Sequence, residues 1–306
     1  MNCRNSAEFL RPALDSVYAQ TYKNWEIIFW DNCSSDQSPN IAQDYAQRSD
    51  GHLRYFRAEA PTLLGEARNL AIAKSNAPYI AFLDCDDLWL PEKLEKQVEL
   101  FENNPKVGLV CTNTACFSGG KTLSHMFDFA PPKRGNAFAE LMIAGWISMS
   151  SAMLRRAALN SLTEWFDPAF NVAEEADLFY RIAHDWELEY VDAPLTLWRV
   201  HATNTTFKKF DQFAAETRLI LKKHRQLYPG YEQKYPNLIK LLEQRAAFQN
   251  AVALWRNGQG AKARQELAGS LNSLKFKAFW LLTWLPGSLF DPLARLYLAL
   301  PKILRR

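Results

Sequence analysis

The sequence predicts an α/β protein: a mostly parallel sheet flanked by helices, with an all-helical extension at its C-terminal end. Three observations carry that expectation. Through the first two hundred residues, short β-forming runs alternate with segments of helical spacing. Some runs, above all Tyr79-Ile80-Ala81-Phe82-Leu83, are apolar at every position, as strands covered on both faces are. Beyond about residue 206 the β-forming runs stop, and helical patterns follow one another over 213–228, 238–256 and 261–271. The expected division is a sheet domain over 1–205 and a helical region over 206–306.

Taken in order, Phe9, Leu10, Ala13, Leu14 and Val17 recur at helical spacing, with Pro12 expected to limit how early that helix starts. Trp25 to Trp30 reads as a strand ending at Asp31-Asn32. Ser38-Pro39 reads as an N-cap followed by proline at the first helical position. Leu53 to Phe56 is the next strand, and 66–75 a helix stopped by Asn76 and Pro78. After the apolar run at 79–83 comes Asp84-Cys85-Asp86-Asp87, then a helix from Pro91 to Asn104-Pro105, and a strand over 107–112. Gly119-Gly120 predicts a hairpin, 147–154 a strand and 174–185 a helix. Gly258 and Gly260 mark a turn between two of the later helices. Parallel sheets bind ligands beyond the carboxyl ends of their strands, where Asp31 and Asp84–Asp87 fall.

The net charge of +3 hides an asymmetry. Residues 206–306 hold 18 Lys/Arg against 6 Asp/Glu, +12, which leaves 18 against 27, −9, for the rest. A basic region of that strength implies an anionic partner. Its richness in Leu and Trp, with no recognisable nucleic-acid module, favours a membrane surface over nucleic acid. The five cysteines are scattered, without zinc-site spacing or a disulfide framework, which fits a reducing cytoplasm. Met1-Asn2-Cys3-Arg4-Asn5 has no apolar signal-like stretch, and no run of about 18 apolar residues is present to span a bilayer. The expected place is the cytoplasm, peripheral on the inner face of the membrane.

Chemistry concentrates in three clusters. In an extended segment Asp84 and Asp86 point the same way, and paired carboxylates repel unless a cation lies between them. Mg²⁺ or Mn²⁺ suits such oxygen ligands and keeps positions for substrate phosphates. Asp87 reads as a cap for the following helix, and Cys85 as a small apolar strand residue. Glu174-Glu175-Ala176-Asp177 opens a helix, where acids also favour the helix dipole, and Asp177 can pair with Arg181 one turn on. Arg199-Val200-His201 follows the apolar stretch 195–198.

The succession of segments resembles the inverting family 2 glycosyltransferases. Leu14-Asp15-Ser16-Val17, Gln20-Thr21-Tyr22, Trp25-Glu26-Ile27-Ile28, Asp31-Asn32 and Ser35-Asp36 match the family's opening. Gly65-Glu66-Ala67-Arg68-Asn69 and Tyr79 to Asp87 with Pro91 continue it in order, over about residues 2–205. The resemblance implies the Rossmann-like GT-A fold, a nucleoside-diphosphate sugar donor (UDP-linked first among them) and a divalent metal. It implies that Asp31 contacts the base, with Asn32 beside it, that Arg68 lies near the nucleotide, Asp84 near the ribose, and Asp86 on the metal. Glu175 takes the place of the catalytic base, where the family commonly has aspartate. Arg199 and His201 resemble the Arg-x-His segment that steadies the departing diphosphate. Trp146 and Glu174 fall where acceptor contacts are expected, and the product class is a polysaccharide, lipopolysaccharide or glycoconjugate.

The resemblance also implies an apolar strand just ahead of Met1-Asn2-Cys3, so a version extended upstream is expected to be more stable. The competing reading is a catalytically impaired scaffold held at a membrane by its tail. That tail, 275–306, alternates Phe, Trp and Leu with prolines and basic residues, and suits helices lying in an anionic bilayer interface. Nucleotidyl transfer, which also uses paired aspartates, would want a glycine-rich phosphate loop near the N-terminus, and none is present.

Overall fold

The computed structural model describes residues 1–128, 133–144, 147–201, 204, 209, 212–271 and 274–289. The chain forms two compact units, Met1–Asn204 and Thr205–Arg306.

In the first unit, β1 (Asn2–Cys3), β2 (Ile27–Asp31) and β3 (Leu53–Arg57) form one parallel ladder in that order. β2 is buried at every position. Its alternation explains why: Ile27 and Phe29 pack with Leu10, Leu14 and Val17 of α1 (Ala7–Tyr18), while Ile28 and Trp30 pack with Ala67 and Ala71 of α3 (Leu64–Ile72) on the other face. α2 (Ser38–Arg48) links β2 to β3. Pro12 lies inside α1, which begins five residues before it. The turn tolerates it because Pro12 and Glu8 both sit on the exposed face, where water can take the Glu8 carbonyl that loses its bond.

The second ladder runs β4 (Tyr79–Ala81), β8 (Met153–Arg155), β6 (Val107–Ser118), β9 (Glu187–Arg199) and β5 (Leu88–Trp89), with β7 (Lys121–His125) hairpinned onto β6. β6 and β9 are parallel, whereas β8, β5 and β7 join antiparallel, so the sheet is mixed. Gly119 and Gly120 turn the hairpin at φ 55° and 77°, a backbone region glycine enters freely. The stretch 147–154 is less regular than a strand: a 3₁₀ turn over Met149–Ser151 precedes the short β8. Helices α4 (Lys93–Asn103), α5 (Phe138–Ala144), α6 (Arg156–Asn160) and α7 (Glu174–Asp185) complete this unit among the described residues.

The second unit contains helices over Phe213–Leu227, Tyr231–Lys234, Pro236–Arg256, Gly260–Leu267 and Leu274–Leu282. Ala251, Trp255, Ala263 and Leu267 form a buried cluster across the turn at Gly258. Trp255 Nε1 donates to the Leu285 carbonyl at 2.8 Å.

Gly108 marks the tightest approach in the first unit. A Cβ there would lie 2.5 Å from Trp186 Cβ and 3.1 Å from Ala158 Cβ. Overpacking of that kind costs about 1–3 kcal/mol. Gly108→Ala is expected to lower stability to urea by that amount, and an unchanged midpoint would show that β6 is not pinned here.

Candidate active site

The site is assembled where β4 runs out into Asp84-Cys85-Asp86-Asp87, beside the first turn of α7 and the end of β9. At its centre is Arg68, on α3 and 2% exposed. Its Nη1 lies 2.8 Å from Glu174 Oε1 and 3.4 Å from Glu175 Oε2, and its Nη2 lies 3.3 Å from Asp84 Oδ1. The guanidinium also sits over the Phe166 ring, 5.4 Å from its centre. The Arg68 side chain is thus turned inward, away from solvent. It is sunk beneath the surface and gathers three carboxylates from two distant parts of the chain.

Local features make that approach possible. Gly65, one turn before Arg68, lets α7 close in: a Cβ at Gly65 would meet Phe166 Cβ at 3.2 Å and Glu174 Cβ at 3.6 Å. Asn69 clamps the opposite segment in both directions, donating to the Phe166 carbonyl at 2.7 Å and accepting from the Phe166 N–H at 2.9 Å. Asp177 and Arg181 form a buried pair at 2.7 Å, which fixes α7 by the one-turn pairing read from the sequence.

Glu174 is buried, with Oε1 on Arg68 and Oε2 without a hydrogen-bond partner. Glu175 is half-buried and more accessible. Burial, and then the charge of Glu174, push the Glu175 carboxyl up to about 8, with Arg68 opposing. A carboxyl tuned in this way can accept a proton near neutral pH.

The three aspartates have different environments. Asp84 is the most open, and its N–H donates to Ser150 Oγ at 3.1 Å. Asp86 Oδ2 lies 3.0 Å from His201 Nε2, and its carbonyl accepts from Arg199 Nε at 2.8 Å. Asp87 is buried and does not cap α4. Its Oδ2 accepts from Ser150 Oγ at 2.6 Å and its Oδ1 from the Arg199 N–H at 2.9 Å. Burial, then the charges of Asp84 and Asp86, raise the Asp87 carboxyl well above its usual range; burial, then Asp84, raise that of Asp86, against His201. The segment thus holds more negative charge than its neighbours neutralise.

Those residues fit a divalent cation. Asp86 and His201 offer a carboxylate oxygen and an imidazole nitrogen, a donor pair that suits Mn²⁺. Among the described residues no three His, Cys, Asp or Glu side chains group as a metal cage. Two protein ligands with remaining positions taken by phosphate oxygens is the usual arrangement for Mg²⁺-like ions.

Arg199 and His201 reach the site together. The Arg199 guanidinium lies between the rings of Phe9, at 4.9 Å, and Phe117, at 4.6 Å, while the His201 ring is 5.2 Å from Phe9. Asn204 accepts from the His201 N–H at 2.7 Å and donates to the Arg199 carbonyl at 3.2 Å, which fixes the turn between them.

Asp31 ends β2 and Asn32 follows it, and both carry protein contacts. Asp31 is fully enclosed: the Ser34 N–H donates to Oδ1 at 2.8 Å, Tyr55 O–H to Oδ2 at 2.8 Å, and Arg57 lies 3.3 Å away. Asn32 holds the Thr62 backbone in both directions, at 2.9 and 3.0 Å. Both residues order the loop after β2. Trp146 lies outside the described residues. Sequence reasoning missed Phe166 and Phe9, two aromatics whose roles come only from long-range contacts; Ser150 falls in the stretch 147–151, which the sequence places near the acceptor, and here it binds Asp84 and Asp87.

Comparison with known proteins bears on family and fold. The family profile described as "Glycosyl transferase family 2" matches residues 1–163. TuaG of Bacillus subtilis, named for teichuronic acid biosynthesis, is 36% identical over 95 residues, 31% of this chain and 37% of that one. WfgD of Escherichia coli is named as a glucosyltransferase from UDP-Glc to α-D-GlcNAc-diphosphoundecaprenol. It is 33% identical over 100 residues, 33% of this chain and 38% of that one. The chain thus spans less than two fifths of either relative's length. The mannosyltransferase PcManGT of Pyrobaculum calidifontis, solved with GDP-Man and Mn²⁺, superposes with a TM-score of 0.62 at 17% identity, over 92% of this chain and 77% of that one. At that identity it speaks for the GT-A fold alone.

Removing one member of a buried charge cluster costs about 3 kcal/mol or more. The raised Glu175 carboxyl stabilises the fold most below the usual glutamate range, and that contribution is lost as pH rises through about 8. Arg68 limits that loss. Arg68→Met is therefore expected to destabilise the protein more at pH 8.5 than at pH 5.5 in urea unfolding. An equal loss at both would contradict the cluster.

Proposed function

The chain belongs to glycosyl transferase family 2, and we propose from that premise that it transfers a sugar, with inversion, from a nucleoside-diphosphate donor to an acceptor hydroxyl. The observation that carries the reading is Arg68, which joins the strand-end aspartate Asp84 to the helix-start glutamates Glu174 and Glu175. Donor-side and acceptor-side groups thereby share one rigid centre.

In this reading Glu175 is the catalytic base. It accepts the proton of the acceptor hydroxyl as that oxygen attacks the anomeric carbon opposite the departing diphosphate, which inverts the centre. Arg68 favours the ionised form of Glu175 and keeps it pointed at the acceptor. Glu174 is the anchor that orients Arg68 and reaches the acceptor only through Glu175. Asp84 faces the ribose, and Arg199 and His201 steady the negative charge that develops on the leaving diphosphate. Asp86, with His201, would hold Mn²⁺ or Mg²⁺, which supplies electrostatic neutralisation of the diphosphate. UDP is the favoured nucleotide and a lipid-linked glycan the favoured acceptor. Both rest on the substrates that WfgD's name gives for that relative.

The membrane reading belongs to the second unit. No helix among the described residues is long and apolar enough to cross a bilayer. Leu274, Leu281 and Trp284 are nevertheless 85%, 63% and 64% exposed, in a region of net charge +12. An apolar edge in a basic unit suits shallow insertion into an anionic surface. That would place the enzyme beside a lipid-linked acceptor, on the cytoplasmic face.

Two tests follow from these assignments. Because the Glu175 carboxyl is raised, kcat/KM for transfer is expected to climb from pH 6 through about 8. Glu175→Gln should lower kcat by about a thousandfold with donor affinity kept. A flat profile with an active Glu175→Gln would assign the base elsewhere. For the surface, Leu281→Asp with Trp284→Asp should reduce co-sedimentation with anionic vesicles and leave transfer to a soluble acceptor intact. Unchanged co-sedimentation would remove the membrane role.

A further inference from the structure

A second basic side chain lies in the core of the first unit, apart from the Arg68 cluster. Lys93 opens α4, yet it is fully buried. Its Nζ sits over the Trp89 ring, 4.1 Å from the centre, and donates to Gln97 Oε1 at 2.7 Å. Burial pulls the amine well below the ordinary lysine range, with the Cys111 thiol opposing. A buried amine that no carboxylate neutralises costs stability.

The segment that carries Lys93 is fixed without it. The Trp89 N–H donates to Ser16 Oγ at 3.2 Å, Gln20 Nε2 donates to the Leu90 carbonyl at 2.9 Å, and the Leu94 N–H donates to Gln20 Oε1 at 3.0 Å. What the amine orders is a pair of side chains. Trp89 Nε1 donates to the Ser150 carbonyl at 2.8 Å, and Gln97 Nε2 donates to the carbonyls of Ser151, at 2.9 Å, and Val110, at 3.0 Å. An amide can turn its oxygen or its nitrogen toward a neighbour, and a donor on the oxygen side decides which. Consecutive carbonyls of the turn at Met149–Ser151 are thus held by Trp89 and Gln97, and Lys93 touches both. From that same turn, Ser150 Oγ accepts from the Asp84 N–H and donates to Asp87.

We propose that Trp89, Lys93 and Gln97 are positioning residues for the sugar-nucleotide donor, a buried bracket that seats the turn 149–151 so that Ser150 holds Asp84 and Asp87 in place. This donor role rests on the transferase reading of the acidic segment; the seating of the turn rests on the hydrogen bonds alone. Lys93 touches no substrate and acts through Trp89 and Gln97, then through Ser150. Asp84 faces the ribose from a fixed backbone, and Asp87 keeps its hold on the Arg199 N–H. Stability given up for placement at a binding site is a recurrent trade in proteins.

Lys93→Met keeps the length of the side chain without its amine, and Trp89→Phe removes the indole N–H from Ser150 while leaving a ring beside Lys93. In both variants the donor KM, and the Kd for UDP with Mn²⁺, are expected to rise about tenfold or more, with kcat little changed. Hydrogen exchange at the Asp84 amide should quicken in both. The urea midpoint of Lys93→Met should not fall, because no buried amine is left to desolvate. A lysine that serves packing alone would do the reverse, lowering the midpoint and scaling kcat with the folded fraction at an unchanged KM. That pattern, or an Asp84 amide that exchanges as in the unaltered chain, would overturn the proposal. If the unaltered chain binds no UDP, the transferase reading falls by itself, and exchange at Asp84 alone decides for or against the bracket.

Discussion

The first unit is organised around one buried cation. Arg68 carries its charge into the interior, where the cost of desolvation is several kcal/mol unless partners offset it. The partners are Glu174, Glu175 and Asp84, and they arrive from the start of a helix and the end of a strand. Each carboxylate would be repelled by the others without the guanidinium. The contacts that look merely structural, Gly65 against Glu174 and Asn69 against Phe166, serve to bring α3 and α7 close enough for this exchange. Packing and charge are in this sense one arrangement.

A second tie organises the other half of the site. Asp87 fixes Ser150 and the end of β9, and that end carries Arg199 and His201 over Phe9. The result is an acidic segment whose outer members, Asp84 and Asp86, remain partly exposed while the inner one is committed to structure. Burial and mutual repulsion raise two of these carboxyls, so a bound cation would favour their ionised forms. The division of labour among three consecutive-looking acids follows from which way each side chain leaves the strand.

Much of this was legible in the sequence. Apolar alternation located α1, β2, β3 and α4, because burial on two faces leaves a periodic trace, and Gly119-Gly120 marked the hairpin. The aspartate segment after an apolar strand and the Glu174-Glu175 pair at a helix start stand out in the sequence as candidate site residues. Direction was not legible. A helical arginine looks alike whether it faces solvent or core, and only the position of α7 shows that Arg68 turns inward. Asp31 and Asn32 were placed at the right strand end, yet their partners Tyr55 and Thr62 are fixed by tertiary contacts that no local pattern encodes. Pro12 illustrates the same point in reverse: local propensity forbids it mid-helix, and an exposed face permits it.

In the proposed function, the acidic segment beyond β4 binds a donor diphosphate together with a divalent ion. Calorimetric titration of UDP into the protein, with and without Mn²⁺, tests it most directly. Tighter binding with Mn²⁺ is expected, with loss of that gain in Asp86→Asn and the fold unchanged. Equal affinity with and without the metal, or a gain that survives Asp86→Asn, would contradict it.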